Sequence, residues 1–214
     1  MMDLLQQGRM NEMFKTLRKG AVVAVLSIGL ALPVTAFAAN QYTVVSGDSL
    51  WKIAVKTQTG VMELIHANPQ LENPNLIYPG QKINVPEKEG THYEEEVVRL
   101  VNVERSKAGL PALKTDWELA RVAEHKSQDM RDKKYFSHTS PTYGSPFTMM
   151  KNYGIQYRAA AENIAQGQRT PEKVVNAWMN SSGHRANILN KNFTHIGVGY
   201  VEDGHYWTQM FIQK

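Results

Sequence analysis

Hydrophobic and polar residues fall into three successive patterns along this chain. The first is an apolar run from Gly20 to Val34, preceded by Lys15, Arg18 and Lys19 and interrupted near its end by Pro33. Ala36-Phe37-Ala38 then supplies a small-x-small site. The order basic, apolar, small predicts a cleaved export leader over residues 1–38. The run is shorter than the roughly 20 residues a membrane span needs, so no stable membrane anchor is expected after cleavage. The second pattern is compact and runs from Gln41 to Pro86. Tyr42-Thr43-Val44-Val45 predicts a strand and Ser46-Gly47-Asp48 a turn, with Asp48 or Ser49 as helix N-cap. Leu50, Ile53 and Ala54 sit at i, i+3, i+4, the spacing of a helix face, and Trp51 is assigned with Ile53 to the core. Val61, Leu64 and Ile65 repeat the spacing up to Asn68-Pro69, where the helix must stop. Tyr78-Pro79-Gly80-Gln81 predicts a turn and Lys82 to Val85 a closing strand. The order is therefore βααβ.

A charged, Gly-containing stretch at 87–92 lacks periodicity and is expected to be a linker. The third pattern fills 93–214. Glu94-Glu95-Glu96 opens a helix with Val97, Leu100 and Val101 on one face, ended by Gly109 and Pro111. Asp116 is the expected N-cap of a second helix marked by Leu119, Val122, Ala123 and Met130. Its polar stretch Glu124-His125-Lys126-Ser127 is expected to face solvent. Thr148 to Tyr153 predicts a short helix. Thr170-Pro171-Glu172 starts a further one that carries Val174, Val175 and Trp178. Ile196 to Val201 predicts a strand, Asp203-Gly204 a hairpin turn and His205 to Ile212 the return. Helices followed mostly by strands argue for an α+β fold with an antiparallel sheet.

Composition narrows the chemistry. The 214 residues contain no cysteine, which excludes disulfides, thiolate metal sites and cysteine nucleophiles. The formal charge is +4, and Arg9, Lys15, Arg18 and Lys19 against Asp3 and Glu12 place half of it in the leader. No basic stripe interleaved with aromatics appears, so nucleic acid is not an expected partner. Export without cysteine suits a Gram-positive bacterium.

Two resemblances rest on these residues. YTVVSGDSLWKIA, NPQL and NLIYPGQKINVP together resemble a LysM domain over 41–86. The resemblance implies binding of N-acetylglucosamine glycans, chiefly peptidoglycan, in a shallow groove. Here Gly47, Asp48, Ser49 and Leu50 would face Asn75, Leu76, Ile77, Tyr78 and Pro79. The segment 93–214 resembles the CAP superfamily (cysteine-rich secretory proteins, antigen 5, pathogenesis-related 1). The carriers are N102-x-x-R105, GLPALKTDWELARVAEHKSQDM, YFSHTSP, AENIA, NAWMNSSGHRANILN, THIGVGYV and YWTQMF. This implies an α-β-α sandwich with a central cleft of two His and two Glu that binds a divalent metal in some members. Three cleft positions carry over as His138, Glu162 and His184. The register of the second Glu falls on Ser181, so that Glu is absent.

Two imidazoles and a carboxylate can titrate near neutrality, relay a proton, or hold zinc with an open position for water. They can equally tie loops together through backbone carbonyls. No H-E-x-x-H helix and no G-x-S-x-G elbow accompanies them. The expectation is an exported, wall-associated binding protein that needs no cofactor, with zinc a candidate at the cleft and a spore layer as another destination. The alternative is a hydrolase of wall or protein substrates acting through His138, Glu162 and His184. Asn187 is expected to tie down a turn.

Overall fold

In a computed structural model describing residues 40–87 and 91–214, the two ends of the small module pair with each other. The leader expected over 1–38 lies outside the described residues. Strand β1 (Asn40–Thr43) runs antiparallel to β2 (Lys82–Val85), with Tyr42 opposite Ile83. Helices α1 (Leu50–Thr57) and α2 (Val61–Ala67) lie between them in sequence. Ser49 is the N-cap of α1: its hydroxyl accepts the Lys52 N–H at 3.3 Å. Gln58 ends the helix in the left-handed region, with φ 51°. Val44, Leu50, Ile53, Ala54, Leu64 and Ile83 close a small core.

The assignment of Trp51 to that core is corrected, because its side chain is 66% exposed. The helical spacing explains this. Leu50, Ile53 and Ala54 define the inward stripe, and one residue further round the helix the chain points away from it. Val55, four residues on, shares the outer face with Trp51 and is also exposed.

The larger domain is a four-stranded sheet covered on both faces. Its strands are β3 (Lys114–Thr115), β4 (Ala159–Gln166), β5 (His195–Val201) and β6 (Tyr206–Gln213), in the order β3-β5-β6-β4. The β5–β6 and β6–β4 pairs are antiparallel and the short β3–β5 pair is parallel. Helices α3 (Thr91–Lys107), α6 (Pro171–Met179) and α7 (Ser182–Ile188) cover one face. There Val97, Val101, Val174, Trp178, Ile196, Val198, Trp207 and Phe211 form a core. Helices α4 (Trp117–Asp132) and α5 (Pro146–Asn152) cover the other, with Leu119, Val122, Met149, Met150, Met210 and Ile212. The period-two alternation of strands is visible in β5. Ile196, Val198 and Tyr200 point to the first core, and Gly197 and Gly199 lie directly beneath the α4 backbone. The architecture is the α-β-α sandwich of an α+β domain.

Two motif residues explain why the loops between these layers are ordered. Asn102 clamps Leu113 through both backbone groups, at 3.1 and 2.8 Å. Arg105 is buried and donates to the carbonyls of Pro111, Ile188 and Asn190 at 2.8–2.9 Å. One guanidinium thus satisfies carbonyls of two loops that would otherwise be orphaned in the interior.

Candidate functional site

The glycan groove expected from sequence is built on two neighbouring turns. The Gly80 N–H donates to the Val44 carbonyl at 2.8 Å and the Val44 N–H to the Gln81 carbonyl at 2.9 Å, which brings the turn after β1 beside the turn before β2. Gly47 (φ 85°) and Gly80 (φ 87°) supply the left-handed backbone each turn requires. Leu76 and Tyr78 are exposed at 52% and 60%. Gly47, Ser49, Asn75 and Pro79 are exposed as well, and Ile77 is half-buried against the core.

Two residues of that set have other duties. Leu50 is buried at 4% in the module core, because it begins the inward stripe of α1, so only its backbone is available to a ligand. Asp48 is occupied too. It accepts the Tyr42 hydroxyl at 2.8 Å and the Val45 N–H at 3.0 Å, and pairs with Lys56 at 2.7 Å. The Lys56 hydrogen bond, with the Val45 N–H, holds its carboxyl down to about 2. Asp48 therefore locks the turn as a permanent carboxylate while Ser49 caps the helix.

In the larger domain, the edge strand β4 carries the site. Glu162 lies opposite Met210 on the face covered by α4, and Asn163 opposite Gln209 on the face covered by α6 and α7. The free edge of β4 is capped by side chains from that second layer. The Trp178 indole N–H donates to the Ile164 carbonyl at 3.2 Å, and the Asn187 amide donates to Asn163 Oδ1 at 2.8 Å and to the Glu162 carbonyl at 3.4 Å. Asn187, expected to tie down a turn, instead holds α7 to the edge of strand β4. At this edge His138, on the loop that leaves α4, meets His184, on α7. Both line a cleft of about 520 Å³ with Phe136, Ser137, Ile164, Ala165, Gln166, Gln168, Ala177, Trp178 and Ser181.

His138 Nδ1 hydrogen-bonds Glu162 Oε1 at 2.6 Å. The imidazole is half open to solvent, whereas the Glu162 side chain is buried behind it. Glu162 Oε2 is buried without a hydrogen-bond partner, and so is Gln168 Oε1. The two histidines titrate in opposite directions. The Glu162 hydrogen bond raises His138, with burial and the Lys126 charge opposing it. Burial, reinforced by the charge on His138, lowers His184. Environments that push two titrating groups apart in this way distinguish the more basic imidazole, His138, from the less basic one, His184.

A metal fits this arrangement poorly. His138 Nδ1 is taken up by Glu162, which leaves Nε2 as the one ring nitrogen it could offer. Among the described residues no group of three or more His, Asp or Glu is placed to hold an ion. Ser181, at the register of the missing Glu, lines the cleft but adds only a hydroxyl.

Lys126 is the site residue that reading the sequence missed. It was expected on a solvated face, yet Lys126 and Ser127 are 1% and 0% exposed. Ser127 bonds the Gly199 carbonyl at 3.1 Å and the Thr208 hydroxyl at 2.9 Å. The Lys126 ammonium donates to the carbonyls of Ser137 (2.8 Å) and His138 (3.0 Å) and to the Tyr135 hydroxyl (3.1 Å). Tyr135, Ser140 and Thr142 in turn donate to Asp129, each at 2.6 Å. A buried cation and a buried anion on one helix therefore pin the whole loop that presents His138. The signal was available: positions 119, 122, 123, 126 and 130 continue one helical stripe, with a lysine in it. His125 is half-buried as well. His195 and His205 do not line the cleft, and His205 stacks on Tyr200.

One measurement follows directly. A histidine-resolved NMR titration is expected to place His138 above and His184 below the ordinary imidazole range. Because the folded value of His138 is raised, its pairing with Glu162 contributes full stability below the unfolded pKa. That contribution is lost as pH rises through the folded value. Coincident midpoints for the two histidines would contradict the pairing.

Comparison with known proteins identifies both domains. The sequence model of the cysteine-rich secretory protein (CAP) family matches residues 98–213, and that of the LysM domain matches residues 42–86. The uncharacterized protein YkwD of Bacillus subtilis is 66% identical over 122 residues, covering 57% of this chain and 48% of that protein. The probable autolysin SsaALP of Staphylococcus aureus is 56% identical over 48 residues, covering 22% of this chain and 17% of that protein. A crystal structure of an extracellular protein containing an SCP domain from Bacillus anthracis superposes with a TM-score of 0.57 at 35% identity, covering 64% of this chain and 47% of that one. The chain thus spans about half the length, or less, of these three proteins. With the layered sheet, the edge cleft and more than half the sequence matched, the chain belongs to the cysteine-rich secretory protein (CAP) family and carries a LysM domain ahead of its CAP domain.

Proposed function

We propose that this chain is an exported, cell-wall-associated binding protein. Its LysM domain holds N-acetylglucosamine glycan of peptidoglycan, and its CAP cleft takes a second ligand. The carrying observation is the open pair of turns in the LysM domain, where Leu76 and Tyr78 stay exposed beside left-handed glycines while the module core is closed. Exposed apolar side chains can cover a sugar face while turn backbone groups bond the N-acetyl amide. The likeness of the LysM segment to a probable autolysin supports the same reading. The cleft offers apolar walls at Phe136, Ile164, Ala177 and Trp178, and polar groups at His138, His184 and Gln168. This suits a ligand with apolar and hydrogen-bonding groups, such as a peptide or glycan.

The test is co-sedimentation of the full chain with purified peptidoglycan at low salt. Wild type is expected in the pellet. Replacing Tyr78 and Leu76 with alanine should weaken binding about tenfold or more, on the scale of losing anchor residues. Wild type remaining entirely in the supernatant refutes the assignment.

The second reading, a hydrolase, is favoured by one observation: the opposed titration of His138 and His184 beside a buried carboxylate. In that reading His138, oriented by Glu162, would donate a proton and His184 would accept one. Release of labelled wall fragments by wild type, abolished in both His138→Ala and His184→Ala, would decide for it. Neither reading routes a step through a metal.

A further inference from the structure

Glu63 lies on α2 of the LysM domain, yet its partners belong to the CAP domain. Its Oε1 accepts from Arg121 Nε at 2.7 Å and lies 3.1 Å from His125 Nε2. All of these side chains are less than a quarter exposed. The CAP side is prepared for it. Arg121 lies over the Tyr153 ring at 5.2 Å, and His125 Nδ1 is hydrogen-bonded to the Tyr153 hydroxyl at 2.5 Å. Tyr153 therefore orients both groups that grip the carboxylate, which limits the side-chain entropy lost on pairing. The LysM side is shaped for the same contact. A Cβ on Gly60 would overlap the Glu63 carboxylate and the Arg121 guanidinium, although the backbone there (φ −76°) is open to any residue.

We infer that this face of α2 is an interaction surface whose partner is α4 of the chain's own CAP domain, so that the two domains move as one body. The contact is small, but only the few residues between Val85, the end of β2, and Thr91, the start of α3, separate the two sides along the chain. Such tethering supplies an effective concentration on the order of millimolar, where a modest ion pair suffices. The crevices along the joint are lined by Gly60, Glu63, His66, Arg121 and His125. The groove turns and the cleft contribute none of their residues to these crevices, so both ligand sites stay open. A LysM domain seated on a glycan would then hold the CAP cleft in one fixed orientation to the strand.

The test needs no ligand, so its outcome is separate from that of the wall-binding assay. Backbone ¹⁵N relaxation of the full chain should give LysM and CAP amides the same rotational correlation time. Glu63→Lys should lower the LysM value toward that of a free module, and adding Arg121→Glu should restore it. Gly60→Ala, which displaces the pair without changing charge or backbone, should act in the same direction and guards against a folding defect in the charge variants. Two distinct correlation times in wild type, or an unchanged LysM value in both Glu63→Lys and Gly60→Ala, would overturn the inference.

Discussion

Replacing Gly199 with alanine is expected to destabilise the CAP domain by about 3 kcal/mol or more, the upper end of overpacking costs. For a chain of this size that lowers the melting temperature by roughly 6–12 °C. The reason lies in the direction of the residue. Gly199 alternates with Val198 and Tyr200, so its Cβ would project toward α4 and meet the backbone of Ala123 and Glu124. A clash with a flexible side-chain tip can be relieved by rotation. A clash with helix backbone requires the helix to lift from the sheet, and α4 also carries Lys126 and Asp129. Gly183 is the control, since nothing lies within 4 Å of its would-be Cβ. In a helix, alanine there should be neutral or stabilising by about 0.5–1 kcal/mol. Thermal unfolding of the two variants separates the effects, and equal behaviour would refute the close approach.

Lys126→Met is expected to cost about 3 kcal/mol and to disturb the cleft. The substitution keeps the length of the side chain but removes the donor to the Ser137 and His138 carbonyls. A buried carbonyl left without a partner costs about 1–3 kcal/mol. Part of that is returned, because a buried ammonium is itself expensive to desolvate. Asp129 and Glu162, however, lose the cation whose charge they feel. The loop that carries His138 then keeps its side-chain bonds to Asp129 and the single His138–Glu162 bond, without the cation between them. Chemical denaturation should show the loss of stability, and the His138 imidazole resonances should show the loosened contact with Glu162. Unchanged stability together with unchanged His138 resonances would show that Lys126 is not the pin.

Much of this arrangement was legible in the sequence. The βααβ order of the LysM domain, the caps at Ser49, Asp116 and Thr170, and the helix starting with Pro171 depend on residues within one turn of each other. Local chemistry of that kind needs no knowledge of the rest of the chain. His138, Glu162 and Ser181 were located by motif, although nothing in their spacing indicates that they meet. Strand β4 was not foreseen from periodicity, because Ala159 to Gln166 has no β-branched alternation. It is a strand because β6 pairs along its whole length and because α6 and α7 cap its edge. The errors share a cause. Trp51, Lys126 and Ser127 were placed by residue type, whereas helical phase decides which side of an amphipathic helix faces inward.

By itself, then, the sequence determined the modules, their order, most helices and the absence of cysteine cross-links. These follow from local propensity, capping and periodicity. The tertiary structure alone decided which acid meets which base. Glu63 reaches across to Arg121 and His125, Glu162 turns one of its oxygens to His138 and leaves the other unpaired, and Lys126 is driven inside to hold the loop between. Charge pairing over such sequence distances depends on burial and on the direction of side chains from separate elements. Neither exists until the helices have packed on the sheet.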